Sequence, residues 1–187
     1  VSAFINPELC AISETLVFSE PYCNGKNRNR ITPGNENFIQ KTLYNDEALK
    51  AEVASLRETF MNKAEALIHG DLHTGSIFIG KVIDSNEANE HCMKIIDPEF
   101  AFYGPIGYDL GNIIAHLYCA WMYAGFTREK LSVADDFDNF IERIAATIEA
   151  LPQLFTAKAL ERCKNIPLSD PLYNERYIRQ RLADMVA

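Results

Sequence analysis

The chain has 187 residues, of which 48% are hydrophobic and 24% charged, a composition typical of a globular domain rather than a disordered segment. Its formal net charge of -8 argues against a broad nucleic-acid-binding surface, because neutralising phosphates requires clustered lysines and arginines. The longest apolar run, residues 113–126, is interrupted by His116 and is too short to cross a bilayer, so no membrane span is expected.

Cysteine use and the start of the chain set two further expectations. The five cysteines are odd in number and show no CxxC spacing, which argues against a disulfide framework or a structural zinc site. A cytoplasmic, reducing location is therefore expected. The chain begins at Val1 with no secretory signal, and its first residues resemble the interior of a domain, so we expect a fragment of a longer protein.

The N-terminal part is predicted to be helical, with one long polar loop. A first helix is expected over residues 6–18, because an asparagine cap is followed by proline and an acid. Residues 21–37 are rich in Asn, Gly and Pro and indicate a surface loop, in which Arg28 and Arg30 are expected to be solvated. A cap at Asn45 is expected to begin a second helix. The apolar face of that helix is predicted to contain Ala48, Leu49, Val53, Leu56 and Phe60.

The middle of the chain predicts short strands, and the remainder predicts helices. Strands are expected at residues 66–68, 77–83 and 92–96, the last two forming a hairpin. The segment PEFAFYGPIG then predicts a loop, and a mostly buried helix is expected to start at Asp109. Further helices are expected over residues 135–150, 152–164 and 173–186. The prediction is a single α+β, mainly helical domain over residues 1–187 with a small β-hairpin.

Several side chains in these elements are predicted to pack in the core. On the helix that starts at Asp109, the histidine at 116 is interpreted as a satisfied core residue. The aromatic residues of the same helix lie at helical spacing, which favours packing over a binding surface. Core packing is thus predicted for Tyr118, Trp121 and Phe126, and for Cys92 and Cys119 as small hydrophobic residues.

The segment LIHGDLHTGSIFIG, residues 67–80, places polar residues between two strand-like runs. Taken alone, it is either a tight structural turn or a loop that holds reactive groups at the end of a strand. A hairpin brings its two ends together, so Asp71, Ser76, Asp97 and Glu99 are expected to share one small region. The proline between Asp97 and Glu99 disfavours helix, and residues two apart on an extended chain point the same way, so both carboxylates can face one point.

Converging carboxylates suggest a cation and, through it, a reaction. Three carboxylates without a cationic side chain repel one another unless a cation intervenes. Hard oxygen ligands suit magnesium, which usually keeps waters and recruits substrate phosphates when one or two carboxylates bind it. The pattern therefore indicates phosphoryl transfer, in which one aspartate orients the attacking hydroxyl and accepts its proton while other acids hold the metal.

Two motifs carry a resemblance to a known family. HGDLHTGS, residues 69–76, resembles the catalytic loop of the aminoglycoside-phosphotransferase-like branch of the protein-kinase superfamily, whose usual form is HGDLHxGN. IIDPEF, residues 95–100, resembles the metal loop, with DPE where protein kinases have DFG. Ser76 in place of asparagine and the D-x-E metal loop depart from the branch. With FINPELC and DPEFAFYGPIGYDLGN, these variants closely resemble the 5-methylthioribose kinases of methionine salvage, over residues 4–123.

The resemblance implies a reaction and a role for each residue. It implies ATP-dependent phosphorylation of the 1-hydroxyl of S-methyl-5-thioribose, with Asp71 as the catalytic base. Asp97 and Glu99 would bind the Mg²⁺ that bridges the ATP phosphates, and Ser76 would support the metal directly or through water. The resemblance also assigns bracing of the catalytic loop to His69, His73 and Asp109. Members of the family tend to be dimers, so a homodimer is a further expectation, with no nucleic-acid or membrane partner.

Two kinase elements are not found in the sequence. No glycine-rich loop precedes the catalytic loop, and no V-A-I-K strand lysine stands before residue 69. In the resembled family both belong to an N-terminal lobe, so the chain is expected to be a protein-kinase-like C-terminal lobe, inactive or nearly so by itself. YIRQRL does not match the family's late arginine pair, so no role is assigned to Arg176, Arg179 and Arg181.

Two alternatives to a thioribose kinase stay open. The first is a kinase of the same fold that acts on another alcohol, such as an aminoglycoside, choline or homoserine. The Ser76 and DPE variants count against it. The second is a non-catalytic remnant or binding module in which the loop survives without activity.

Overall fold

The computed structural model describes residues 7–25, 28–81, 91–127, 137–163, 174–177 and 179–180. Helices dominate these ranges, and the strands form small two-stranded antiparallel sheets, which confirms the predicted α+β, mainly helical class. The chain groups into two compact units, one of residues 1–70 and 99–105 and the other of residues 71–98 and 106–187. A single domain over the whole chain stays a prediction.

The first unit begins with helices that the sequence largely anticipates. Its elements include α1 (Pro7–Glu14), α2 (Glu36–Ile39) and α3 (Glu47–Asn62). After α1 the chain stays helical but widens into a π-helical turn at Thr15–Ser19. The predicted cap at Asn6 lies outside the described residues. Most of the described part of the predicted 21–37 loop is irregular, with a short 3₁₀ turn at its start and α2 at its end.

Helix α3 begins one residue later than predicted. The side chain of Asp46 caps it, with Oδ1 accepting a hydrogen bond from the backbone N–H of Leu49 at 2.9 Å. Asp46 has the extended backbone that a cap needs, whereas Asn45 does not, so the predicted Asn45 cap is wrong. Val53 and Phe60 are buried as predicted, but Ala48 is exposed and Leu56 is 59% exposed, so the buried face is narrower than the apolar pattern indicates.

Aromatic packing joins α3 to the small sheet of the first unit. The Phe60 ring lies 5.1 Å from that of Phe18 and 5.3 Å, edge to face, from that of Phe102. In the same unit, Arg57 Nε pairs with Oε1 of the buried Glu14 at 2.7 Å, which ties α3 to α1. These contacts fix the helix that precedes the strand leading into the HGD motif.

A second pairing in the first unit corrects the prediction for Arg28. Its Nε lies 2.8 Å from Glu20 Oε1, so Arg28 forms an ion pair rather than being merely solvated. The hydrogen bond from Arg28 to the Glu20 carboxylate lowers the pKa of Glu20 below its usual value. Arg30 is exposed, as predicted.

The sheet of the first unit contains a strand that the sequence pattern did not indicate. Strand β1 (Ala66–Ile68) pairs with β4 (Phe102–Gly104), with Ala66 opposite Gly104 and Ile68 opposite Phe102. The predicted PEFAFYGPIG loop is therefore wrong at β4. A three-residue strand has little periodicity of its own, and its hydrogen-bond partner lies far away along the chain.

The second unit carries the predicted hairpin. Strands β2 (Ile77–Lys81) and β3 (His91–Ile95) pair antiparallel, with Ile77 opposite Ile95 and Lys81 opposite His91. Residues 82 and 83, predicted to extend β2, lie outside the described residues. The sequence reasoning that joined these two apolar runs is confirmed over the part that the structure describes.

Helices α4 (Gly107–Thr127) and α5 (Phe137–Cys163) pack against each other in the second unit. Their buried apolar residues are Leu110, Ala124, Ile144, Ile148 and Leu160. The predicted helices over residues 135–150 and 152–164 are one continuous helix within the described residues, with Pro152 inside it. Proline removes one backbone hydrogen bond from a helix interior, and α5 continues despite that loss. Most of the predicted 173–186 helix lies outside the described residues, and residues 175–177 and 179–180 are helical.

Helix α4 is much less buried than its apolar sequence predicts. Tyr118 and Trp121 are exposed, and Phe126 is 85% exposed, so the prediction that these rings pack in the core is wrong within the described part of the chain. Cys92 and Cys119 are also exposed rather than in the core. Helix α4 packs against α5 and contacts the Thr74–Ser76 turn, yet much of its aromatic surface is exposed. None of the described helices combines the length and apolarity needed to cross a membrane.

Candidate active site

The predicted site residues fall into both compact units, and each unit is described by itself. His69 and Glu99 belong to the first unit. Asp71, His73, Ser76, Asp97 and Asp109 belong to the second unit.

In the first unit, the chain leaving β1 turns sharply at Gly70. This residue has a φ of 83° and is buried, and a Cβ placed there would lie 2.2 Å from the carbonyl oxygen of Phe100. Only glycine tolerates both this conformation and this close approach of two backbones. His69, just before Gly70, is half-buried, and Glu99, just before Phe100, is exposed in the 3₁₀ turn Pro98–Phe100.

In the second unit, His73 and Ser76 build a reciprocal cap on the 3₁₀ turn Thr74–Ser76. The backbone N–H of His73 donates to Ser76 Oγ at 3.0 Å, and Ser76 Oγ donates to the carbonyl oxygen of His73 at 2.8 Å. The backbone N–H of Gly75 donates to His73 Nδ1 at 3.0 Å. Ser76 is only 2% exposed, so these bonds satisfy its hydroxyl inside the loop.

The end of the hairpin places Asp97 beside this turn. The backbone N–H of Ile96 donates to the carbonyl oxygen of Ser76 at 3.0 Å, which continues the β2–β3 ladder to the last residue before Asp97. Asp97 has a φ of 65°, a left-handed conformation that aspartate adopts more readily than most residues. The chain therefore leaves the strand direction at Asp97 and enters the 3₁₀ turn Pro98–Phe100, so the predicted extended conformation of the DPE segment is wrong.

Asp71 stands at the open side of the same loop. Its side chain is 57% exposed, and its Oδ2 lies 3.9 Å from His73 Nε2. The carboxylate is thus accessible to a substrate and within electrostatic reach of one imidazole nitrogen. Asp109 is half-buried in the first turn of α4, the helix that contacts the Thr74–Ser76 turn. A carboxylate there also interacts favourably with the helix dipole.

His116 contacts the His73 ring, which the sequence analysis did not predict. It is exposed rather than in the core, and its ring stacks on that of His73, with centroids 5.3 Å apart and planes 24° apart. A signal for this contact exists in the sequence. His116 follows Asp109 by seven residues, two helical turns, so both lie on the same side of α4.

No group of three or more His, Cys, Asp or Glu side chains within the described ranges is arranged to hold a metal ion. The first unit also has an open cavity of about 330 Å³, lined in part by Arg30, Ile39 and Tyr44. None of the predicted site residues lines it.

Comparisons with known proteins agree with one another. The sequence model of the phosphotransferase enzyme family (APH) matches residues 8–139. The methylthioribose kinase of Exiguobacterium sibiricum is 43% identical over 148 residues, which cover 79% of this chain and 35% of the relative. The methylthioribose kinase of Pectobacterium atrosepticum is 37% identical over 193 residues, which cover 100% of this chain and 44% of the relative. The methylthioribose kinase of Bacillus velezensis is 47% identical over 114 residues, 61% of this chain and 26% of the relative.

The chain spans less than half the length of these relatives. The family model, however, covers well over half of the chain and includes the loop of Asp71, the hairpin and the start of the DPE segment. The chain therefore belongs to the phosphotransferase enzyme family.

Proposed function

We propose that the chain forms part of an ATP-dependent kinase that phosphorylates the 1-hydroxyl of S-methyl-5-thioribose. The observation that carries this proposal is the 37% identity to a methylthioribose kinase along the whole chain. The local geometry in the second unit supports it, because an accessible aspartate stands on a loop whose turn is held by hydrogen bonds between His73 and Ser76. In this proposal the chain is the protein-kinase-like C-terminal lobe, and its hairpin carries the catalytic and metal loops.

Asp71 is the proposed catalytic base. As the sugar hydroxyl oxygen attacks the γ-phosphorus of ATP, the hydroxyl proton passes to the Asp71 carboxylate and the bond from phosphorus to the bridging oxygen of ADP breaks. This role requires a carboxylate that a substrate reaches, which agrees with the 57% exposure of the Asp71 side chain. His69, His73 and Asp109 are proposed to brace the loop that aims it.

Asp97 and Glu99 are the proposed magnesium ligands. The donor chemistry fits, because both are exposed carboxylates and magnesium favours one or two such groups together with waters and phosphate oxygens. Magnesium, when bound, would offset the negative charge of the ATP phosphates. Ser76 is proposed to act by holding the loop in its conformation and not by offering an unpaired hydroxyl. Its hydroxyl oxygen already exchanges hydrogen bonds with the backbone of His73.

A reducing, cytoplasmic location is part of the same proposal. The four cysteines whose side chains the structure describes, Cys10, Cys23, Cys92 and Cys119, are free thiols. Free thiols at exposed positions are typical of reducing compartments. A homodimer stays a prediction by analogy with the family.

Replacing Asp71 by asparagine in the full-length protein tests the base. We expect kcat to fall by about 10²- to 10⁴-fold, because the proton acceptor is lost. The Kd for Mg-ATP should change little, because the proposed metal ligands remain.

Asp97→Ala should lower turnover and also weaken Mg-ATP binding, because it removes a proposed metal ligand. Calorimetric titration measures the change in the Kd for Mg-ATP.

Asp46→Asn is the matched control, since it makes the same chemical change at a helix cap where asparagine serves equally well. Near-normal turnover of Asp71→Asn would contradict the assignment of the base.

A coupled assay with methylthioribose, an aminoglycoside, choline and homoserine tests which alcohol is the phosphoryl acceptor. Preference for any acceptor other than methylthioribose would contradict the proposed substrate while leaving the reaction class intact.

A further inference from the structure

We propose that His116 is a positioning residue, which acts through the His73 ring to orient the carboxylate of Asp71. The inference rests on the proposed function, in which Asp71 is the base. Asp71, His73 and His116 all belong to the second compact unit, and the contacts that link them are measured within it.

Hydrogen bonding sets which nitrogen of His73 carries a proton. Its Nδ1 accepts a hydrogen bond from the backbone N–H of Gly75 at 3.0 Å, so Nδ1 has a lone pair there and no hydrogen. The neutral ring then carries its proton on Nε2. That N–H is the group nearest the Asp71 carboxylate, with Nε2 lying 3.9 Å from Oδ2.

The His73 ring has two close neighbours. The His116 ring stacks on it at 5.3 Å and 24°. A Cβ at Gly75 would lie 2.9 Å from both Cε1 and Nδ1 of His73, so the absence of a side chain at Gly75 makes room for the ring. A ring restrained in this way has a fixed direction for its Nε2–H.

A distance of 3.9 Å is too long for a direct hydrogen bond, so the N–H acts on Asp71 as an oriented dipole or through one water. This interaction favours one orientation of the exposed Asp71 carboxylate. The stack with His116 thereby determines how often Asp71 points toward an incoming hydroxyl. Small losses of alignment at a catalytic group reduce the rate of the chemical step more than they reduce substrate binding.

His116→Ala and His116→Phe in the full-length protein test the proposal, because phenylalanine keeps a flat ring to stack on His73 and alanine does not. For His116→Ala we expect kcat to fall about ten- to a hundredfold, with the KM for ATP changed less than about twofold. His116→Phe should restore most of kcat. Tyr123→Ala is the matched control, as it removes an exposed aromatic ring from the same helix and should leave kcat unchanged.

Nitrogen-15 NMR of the His73 ring gives a readout independent of turnover. In the wild type, Nδ1 should have the chemical shift of an unprotonated nitrogen and Nε2 that of a protonated one. His116→Ala should mix the two tautomers, and His116→Phe should preserve the wild-type pattern. Unchanged kcat and unchanged ring signals in His116→Ala would overturn the proposal, as would equal losses in the alanine and phenylalanine variants.

A second variant keeps the test valid if His116→Ala does not fold. Gly75→Ala places a methyl group against Cε1 and Nδ1 of the same ring and should also lower kcat and disturb the His73 signals. Normal kcat in Gly75→Ala would then count against the proposal. Failure of the proposed function has a different outcome: Asp71→Asn would keep its turnover while the His73 signals still responded to His116→Ala.

Discussion

At Glu20, hydrogen bonds from Arg28 give a buried carboxylate a stabilising, pH-dependent contact. Arg28 donates to it from both the side-chain Nε and the backbone N–H, at 2.8 Å and 3.1 Å. The hydrogen bond from Arg28 lowers the pKa of Glu20, and Arg28's positive charge acts in the same direction. The polar loop that contains Arg28 is therefore anchored at one point to the helical turn Glu20–Tyr22.

The pH dependence of stability follows from the sign of that shift. Because the pKa of Glu20 is lower in the folded state, the folded protein binds fewer protons near pH 4 than the unfolded chain does. The contribution of Glu20 should be fully present above the ordinary glutamate pKa of about 4.3 and lost as pH falls through the folded value. Urea denaturation from pH 7 to pH 3 should show Glu20→Gln less stable than the wild type at pH 7, with the gap closing at the acid end.

Glu47→Gln is the control for this series. Glu47 pairs with Lys50 at the surface, with its side chain 84% exposed. The stability difference between Glu47→Gln and the wild type should be small, because an exposed ion pair contributes little. A Glu20→Gln gap that widens toward pH 3 would contradict the assigned direction of the pKa shift.

The residues of the candidate site illustrate what a sequence pattern reveals at this scale. Asp71, Ser76 and Asp97 were predicted from their places around an expected hairpin, and the hairpin is present. The hydrogen bonds between His73 and Ser76 depend on local turn geometry, which the letters HTGS alone do not specify. The stack of His116 on His73 needs the packing of α4 against the loop, a tertiary contact that an apolar helical pattern does not encode.

Among the elements, α3 shows how narrowly a helix start is determined. Two adjacent residues, Asn45 and Asp46, are both good caps by composition. Backbone conformation distinguishes them, since Asp46 is extended and Asn45 is close to a turn conformation. Sequence patterns locate such helices well and their first residue less well, because capping depends on backbone angles set by the preceding turn.

Alanine substitution at these two positions provides a test of the cap. Asp46→Ala should lower the free energy of unfolding by about 1 kcal/mol, because the N–H of Leu49 loses its acceptor. Asn45→Ala should have a much smaller effect, as its side chain accepts only an exposed hydrogen bond from Gln40. Urea denaturation of both variants measures the difference. A larger loss for Asn45→Ala than for Asp46→Ala would show that the cap lies where the sequence pattern first indicated.

Helices α4 and α5 differ from the sequence predictions, α4 in its burial and α5 in its continuity. Apolar content in α4 predicted burial, yet much of its aromatic surface is exposed within the described chain. The sequence predicts two helices, over residues 135–150 and 152–164, yet α5 continues through Pro152. The apolar content of a helix does not say which of its faces a neighbour covers, because tertiary packing decides that.

For the whole molecule, the matched relatives are much longer than this chain, and this difference sets our expectation for the activity of the chain by itself. The matched kinases are more than twice as long as the region they share with it. Phosphoryl transfer depends mainly on positioning both substrates, and the chain shows neither a glycine-rich phosphate loop nor a V-A-I-K lysine before the catalytic loop. We therefore predict that the 187-residue chain alone has little or no turnover with ATP and methylthioribose.

A coupled assay of ADP release measures the turnover of the purified chain and compares it with that of the full-length protein. The Asp71→Asn variant of the chain sets the background rate. Turnover by the chain at a rate close to that of the full-length protein, and dependent on Asp71, would contradict the prediction.

The register of the β2–β3 ribbon has a consequence for how this chain tolerates insertions. Ser76 and Asp97 adjoin the end where Ile77 faces Ile95, and Lys81 faces His91 at the other end. An insertion in the sequence between Lys81 and His91 would leave the paired positions in register and, with them, Ser76 and Asp97. That stretch of sequence is therefore suited to carry a peptide tag or a fluorescent reporter.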